Sequence, residues 1–179
     1  MQKKKIFIEI AVPQQIKKRI MQKIAPWADL PIKWVKEESL HITVSFVGYV
    51  DESVVPDICF KVKETVAKIE SFEITFDRIG LAPDAENPKS IALIGKPLKE
   101  LGELNEKIEE ALDMYPQKHK QFSPHVTLGR IKKLKWDELS KKPLIEEKCN
   151  IGMTAEAVLV MESRGGEGSY SVLEQCNLV

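Results

Sequence analysis

Near the start of the chain, Ile6, Ile8, Ile10 and Val12 alternate with Phe7, Glu9 and Ala11. A period of two marks a β-strand, because successive side chains leave opposite faces of the backbone. Pro13 closes that run. Ile16, Ile20 and Ile24 then recur every four residues, which predicts an amphipathic helix with Pro13 at its first turn and Pro26 at its end. A short extended piece at 33–35 leads into a strand over 40–47. Val55, Ile58, Val62 and Ile69 share a helical face, so a helix is expected over 51–69, with Pro56 tolerated in its first turn. Further strands are predicted at 72–78, 90–94 and 122–131. A helix marked by Leu98, Leu101, Ile108 and Leu112 lies between the last two. A short helix at 136–139 and two strands, 155–161 and 170–178, complete the pattern, with RGGEG (164–168) as the turn joining those strands.

Strands and helices do not alternate steadily as in βαβ units, so the pattern predicts an α+β fold with antiparallel pairing. Each half of the chain holds several strands and at least one long helix, a loose internal repeat. The length, 179 residues, fits a single domain over 1–179 built as two lobes on a shared core.

Charge narrows the function classes. Lysine plus arginine and aspartate plus glutamate both number 27, so the formal net charge is zero. A general nucleic-acid coat protein would be basic overall, but a local basic pocket remains open. The three cysteines, Cys59, Cys149 and Cys176, form no CxxC pair, which points to reduced thiols rather than a disulfide framework or a zinc cluster. The N-terminus resembles a signal peptide superficially, but Glu9 and Pro13 interrupt it and no cleavage site follows. No run is long enough to span a membrane. A cytoplasmic protein is expected.

Two short stretches carry the chemistry: HITVSF at 41–46 and HVTLGR at 125–130. Two of the three histidines sit in the same His-apolar-Thr-apolar frame. The chain has five threonines in 179 positions, so chance would produce this doubling roughly two times in a thousand. On a strand, His41 and Thr43 share one face, and so do His125 and Thr127. The aliphatic residues between them face the core. Opposed across a cleft, two imidazoles suit phosphodiester chemistry, one removing a proton and the other supplying one. The threonine hydroxyls can bind non-bridging phosphate oxygens. Metal ligation is disfavoured, since no third histidine or cysteine pair stands at ligand spacing. From Met114 to Trp136 there is no acidic residue, while Lys118, Lys120, Arg130, Lys132, Lys133 and Lys135 are present. That run reads either as a field beside His125 or as a solvated surface.

The doubled motif resembles the two-histidine phosphoesterase superfamily. KWVKEESLHITVSFVGYVDE (33–52) and FSPHVTLGRI (122–131) are similar to its RNA 2′,3′-cyclic phosphodiesterase branch, first described as a 2′-5′ RNA ligase; so are IFIEIAVP (6–13) and ESRGGEGSYSVL (162–173). The resemblance implies a bilobal α+β fold with pseudo-symmetric antiparallel sheets, a central cleft and helices outside. It implies hydrolysis of 2′,3′-cyclic phosphate ends of RNA, or of cyclic nucleotides, to 2′-phosphates without metal or cofactor. His41 would be the general acid and His125 the general base, with Thr43 and Thr127 on the phosphate. The extended forms HxTxxF and HxTxxR would add Phe46 at the base or ribose and Arg130 at the phosphate. A monomer without membrane attachment is expected. The alternatives are a phosphoesterase acting on 2′-5′ linkages or cyclic ADP-ribose phosphates, and a non-catalytic module that binds nucleotides or RNA ends.

Strict alternation opposes the last two assignments, because a residue five positions after the histidine points away from its face. Gly129 would permit a bulge that turns Arg130 inward. No glycine precedes Phe46, for which core packing is the competing expectation. Tyr170 is expected to pack within the C-terminal strand, RGGEG to form a hairpin turn, and His119 to lie on a surface loop.

Overall fold

The computed structural model describes residues 2–115, 121–166 and 168–179. Its strands are β1 (Lys3–Ala11), β2 (Ile32–Trp34), β3 (His41–Asp51), β4 (Phe72–Ala82), β5 (Ser90–Ile94), β6 (His125–Ile131), β7 (Glu146–Ala155), β8 (Ala157–Ser163) and β9 (Tyr170–Asn177). The helices are α1 (Gln14–Ile24), α2 (Val55–Val66), α3 (Lys99–Ala111) and the short α4 (Lys133–Asp137). The order across the sheet is β7-β4-β5-β6-β3-β1-β8-β9, and β2 pairs with β6. Every pairing is antiparallel, as expected for the α+β class.

The sheet narrows at its centre. β3 and β6 meet through one paired position, Ile42 opposite Val126. Two halves, β7-β4-β5-β6 with β2 and β3-β1-β8-β9, therefore join at a seam, with a His-x-Thr strand innermost in each. These halves are not the halves of the sequence, because C-terminal β8 and β9 return to pair beside β1.

One apolar core runs under both halves. The α1 stripe (Ile16, Ile20, Ile24), the α2 stripe (Ile58, Val62, Val66) and the α3 stripe (Leu101, Leu104, Ile108) bury against inward strand residues such as Ile42, Ile74, Leu93 and Val126. Each fully buried aliphatic side chain stabilises the fold by about 1.5–3 kcal/mol before entropy is counted. The periodicities read from the sequence thus correspond to real buried faces.

Several boundaries differ. The helix expected from residue 51 begins at Val55, because β3 runs on to Asp51 and residues 52–54 form a single 3₁₀ turn. β6 starts at His125 rather than 122. A further strand, β7, occupies EEKCNIGMTA at the sheet edge beside β4, and its burial alternates strictly, with Ile151, Met153 and Ala155 in the core. Its charged start, Glu146–Lys148, and Gly152 lower strand propensity and mask that alternation in the sequence. The cysteines are unpaired, with Cys176 buried and the other two half-buried. Among the described residues, no helix is long and apolar enough to cross a membrane.

Candidate functional site

The seam builds the site. Ile42, Val44, Val126 and Leu128 are buried in the core at 1% exposure or less. Their neighbours His41, Thr43, His125 and Thr127 therefore project from the opposite face, into the cleft. His41 and Thr43 flank the single Ile42–Val126 pair on β3, and His125 and Thr127 flank it on β6. An antiparallel pair has a local two-fold axis, so one strand pairing makes a four-membered polar cluster of two histidines and two threonines.

The echo extends one step upstream. Both motifs place a serine two residues before the histidine, in Ser39-Leu40-His41 and Ser123-Pro124-His125. His41 Nδ1 donates to the Ser39 carbonyl at 2.7 Å, and His125 Nδ1 donates to the Ser123 carbonyl at 3.3 Å. A carbonyl can only accept, so each contact selects the tautomer with its proton on Nδ1. In the neutral ring Nε2 is then the open acceptor. His41 Nε2 lies 3.1 Å from Thr43 Oγ1.

Both motif strands carry a β-bulge immediately after the threonine. On β1, Glu9 faces Thr43 and Ile8 faces Ser45, so Val44 is the extra residue. On β5, Ala92 faces Thr127 and Ile91 faces Gly129, so Leu128 is the extra residue. An extra residue reverses the phase of the strand. Val44 and Ser45 are consecutively buried, and so are Leu128 and Gly129. Phe46 and Arg130 consequently return to the cleft face. Core packing of Phe46 is overturned, since 68% of its surface is exposed. No glycine is needed on β3 because α3 stabilises the bulge from behind. Asn105 Nδ2 donates to the Val44 carbonyl at 2.8 Å, and Ser45 Oγ donates to Glu109 Oε1 at 3.0 Å. On β6 the glycine is required for space. A Cβ on Gly129 would sit 2.5 Å from Ile32 Cγ2 and 3.1 Å from Trp34 Cε3 of β2.

Glu9 is a site residue that periodicity concealed. It reads as the polar member of an alternating strand, yet it is 6% exposed, because central β1 is covered on both faces. Its Oε2 lies 3.6 Å from His41 Nδ1. Burial pushes the Glu9 carboxyl up to about 7, against the opposing pull of Lys17. Burial lowers the His41 pKa; the Ser39 hydrogen bond raises it, while Lys17 and His125 push it further down. The influence of His125 follows from the seam, which brings the two rings near each other.

An aromatic wall closes the His41 side. Tyr170 meets the His41 ring edge-on at 5.9 Å between centroids, and Phe7 lies 5.4 Å from it. Tyr170 is therefore a cleft residue rather than one packed within its strand. β8 and β9 pair antiparallel in direct succession, as the expected hairpin requires, although residue 167 of RGGEG lies outside the described residues; Arg164, Gly165, Gly166 and Gly168 reach the cleft rim.

The cleft has a volume of about 1210 Å³. Among its described lining residues seven are lysine or arginine, and Glu162 is the one carboxylate. The positive field comes mainly from Lys3, Lys4 and Lys5 on β1 and from Lys33 and Lys36 around β2. Of the basic run at 114–136, Arg130 lines the cleft, whereas Lys132, Lys133 and Lys135 do not. Lys133 pairs with Asp137 on α4. Lys118, His119 and Lys120 lie outside the described residues.

A neutral chain thus carries a cationic cleft around a histidine pair. The family model for LigT-like phosphoesterases matches residues 10–92. The chain is 33% identical over 132 residues to the RNA 2′,3′-cyclic phosphodiesterase of Methanocaldococcus jannaschii, covering 72% of each protein. The chain belongs to the LigT-like phosphoesterases. A second relative, the RNA 2′,3′-cyclic phosphodiesterase of Thermotoga maritima, is 30% identical over 139 residues, covering 74% of each. The fold matches E. coli LigT crystallised with 3′-AMP, with a TM-score of 0.77 at 19% identity over 99% of both chains.

Proposed function

We propose that this phosphoesterase opens 2′,3′-cyclic phosphate ends of RNA, or cyclic nucleotides, to 2′-phosphates by a metal-independent two-histidine mechanism. The observation that carries the reading is the pair of imidazoles flanking the seam, each with Nδ1 held by a backbone carbonyl and Nε2 left to work. The names of the relatives at 33% and 30% identity support the substrate class.

His125, the more exposed ring, is the general base. Its Nε2 takes a proton from water as the water oxygen bonds to phosphorus. The P–O3′ bond breaks, and His41 Nε2 delivers a proton to the departing 3′ oxygen. This leaves a 3′ hydroxyl and a 2′-phosphate. The buried carboxylate behind His41 supports this division of labour. Glu9 Oε2 stands 3.6 Å from His41 Nδ1, and an ionised Glu9 there favours the imidazolium that an acid requires, against the burial that lowers the His41 pKa. Thr43, Thr127 and Arg130 bind the phosphate oxygens, where developing charge is stabilised. Phe46 meets the base or ribose. Among the described residues, no cluster of three or more His, Cys, Asp or Glu side chains is placed to hold a metal ion. The whole chain, 1–179, acts as one bilobal catalytic unit, a monomer working in the reducing cytoplasm.

The test is an RNA ending in a 2′,3′-cyclic phosphate, incubated with the protein and excess chelator, with the product isomer resolved. A 2′-phosphate formed at the same rate with and without chelator is expected. A 3′-phosphate product, or loss of activity with chelator, would refute the mechanism.

A further inference from the structure

β3 is bulged a second time. Phe7 faces Phe46 while Ile6 faces Gly48, so Val47 is an extra residue, and Gly48 takes φ +92° as the strand turns. The phase reverses again, and Tyr49 joins Phe46 on the cleft side. The two rings are 70% and 68% exposed. Large aromatics on a sheet face are normally covered, because their burial contributes strongly to stability. Here two in a row are held open along one strand, leading outward from His41.

Tyr49 is also matched to a cation. Lys5 is its direct cross-strand partner on β1, and Lys5 Nζ lies 5.9 Å from the ring centroid. Lys3 extends the same edge. Tyr49 stands three positions beyond Phe46, at most roughly 10 Å at the usual rise, a span that two neighbouring nucleotides of a single strand can bridge. Aromatic platforms beside lysines along a groove are how proteins hold single-stranded nucleic acid. The cleft volume of about 1210 Å³ also exceeds the roughly 300–1,000 Å³ of a pocket for one small ligand.

Resting on the function proposed above, we infer that Tyr49 and Lys5 form a second-nucleotide subsite. The nucleoside carrying the cyclic phosphate lies at Phe46. The nucleotide on its 5′ side stacks on Tyr49, with its phosphate against Lys5. The preferred substrate is then an RNA end of two or more nucleotides rather than a free cyclic mononucleotide.

Affinity separates this inference from the catalytic reading. Calorimetry would compare a 2′-phosphorylated dinucleotide with the matching 2′-mononucleotide on the full chain, for the native protein, Tyr49→Ala, Tyr49→Phe and Lys5→Met. The native protein is expected to favour the dinucleotide by roughly five- to a hundredfold, the range a single stacked base supplies. Tyr49→Ala should collapse that ratio towards one, and Tyr49→Phe should keep it. Lys5→Met should lower it and flatten its dependence on salt. Equal affinity of the native protein for the two ligands would overturn the subsite, and so would a ratio untouched by Tyr49→Ala. Turnover of cyclic-phosphate dinucleotides reports separately: its absence would sink the catalytic reading while leaving the binding ratio to judge the subsite.

Discussion

Replacing Glu9 by Gln removes a buried charge while keeping the shape of the side chain. In the folded protein the carboxyl is raised from 4.5 to about 7. Each pH unit between those values corresponds to about 1.4 kcal/mol, so an ionised Glu9 costs the fold ~3 kcal/mol. The folded state binds this proton more tightly than the unfolded chain. The favourable contribution is therefore complete below pH 4.5, falls as pH rises towards about 7, and is gone above it. Glu9→Gln lacks that slope. The variant should match the native protein near pH 4 and be more stable by up to ~3 kcal/mol at pH 8, with His41 trimming the gain wherever it is charged. Urea unfolding followed by tryptophan fluorescence, repeated from pH 4 to 8, measures this. A stability difference that is flat with pH, or that grows on acidification, refutes the argument. The same substitution withdraws the carboxylate from behind His41 Nδ1. His41 then holds its proton less firmly, and the alkaline limb of the pH–rate profile should move down by roughly one unit.

His41→Ala and His125→Ala should each lower kcat by about 10²–10⁴ with little change in melting temperature, since both rings project into the cleft rather than the core; an active variant with native Tm contradicts the assigned roles. Asn105→Ala leaves the Val44 carbonyl without its 2.8 Å donor; a loss of about 1–3 kcal/mol in urea unfolding is expected, with a raised KM as Thr43 and Phe46 lose their support. Gly129→Ala forces β2 away from β6, because the new methyl would meet Ile32 at 2.5 Å; destabilisation of about 1–3 kcal/mol is expected, and an unchanged unfolding midpoint would contradict the close approach.

Much of this molecule follows from side-chain order alone. The isoleucine spacing in α1 and the alternation in β1 are local properties, because a helix or a strand repeats along its own backbone. The same holds for the His-x-Thr frame, since residues i and i+2 share a strand face wherever the strand lies. Those patterns sufficed for the α+β class, for the resemblance and for four residues of the cleft. β7 escaped because its charged start and Gly152 mask an alternation that is strict in the folded strand.

The rest depends on which segments meet. The bulges that bring Phe46, Tyr49 and Arg130 to the working face arise where β3 and β6 pair with their neighbours, and for β3 from Asn105 and Glu109 on a helix some sixty residues away. Glu9 is polar by sequence but buried by position, because β1 is central and covered on both sides. The cationic field belongs to β1 and the surroundings of β2 more than to the basic run beside His125. Residue order can specify a face, whereas the charge, solvent exposure and partners of that face are set by the strands packed beside it.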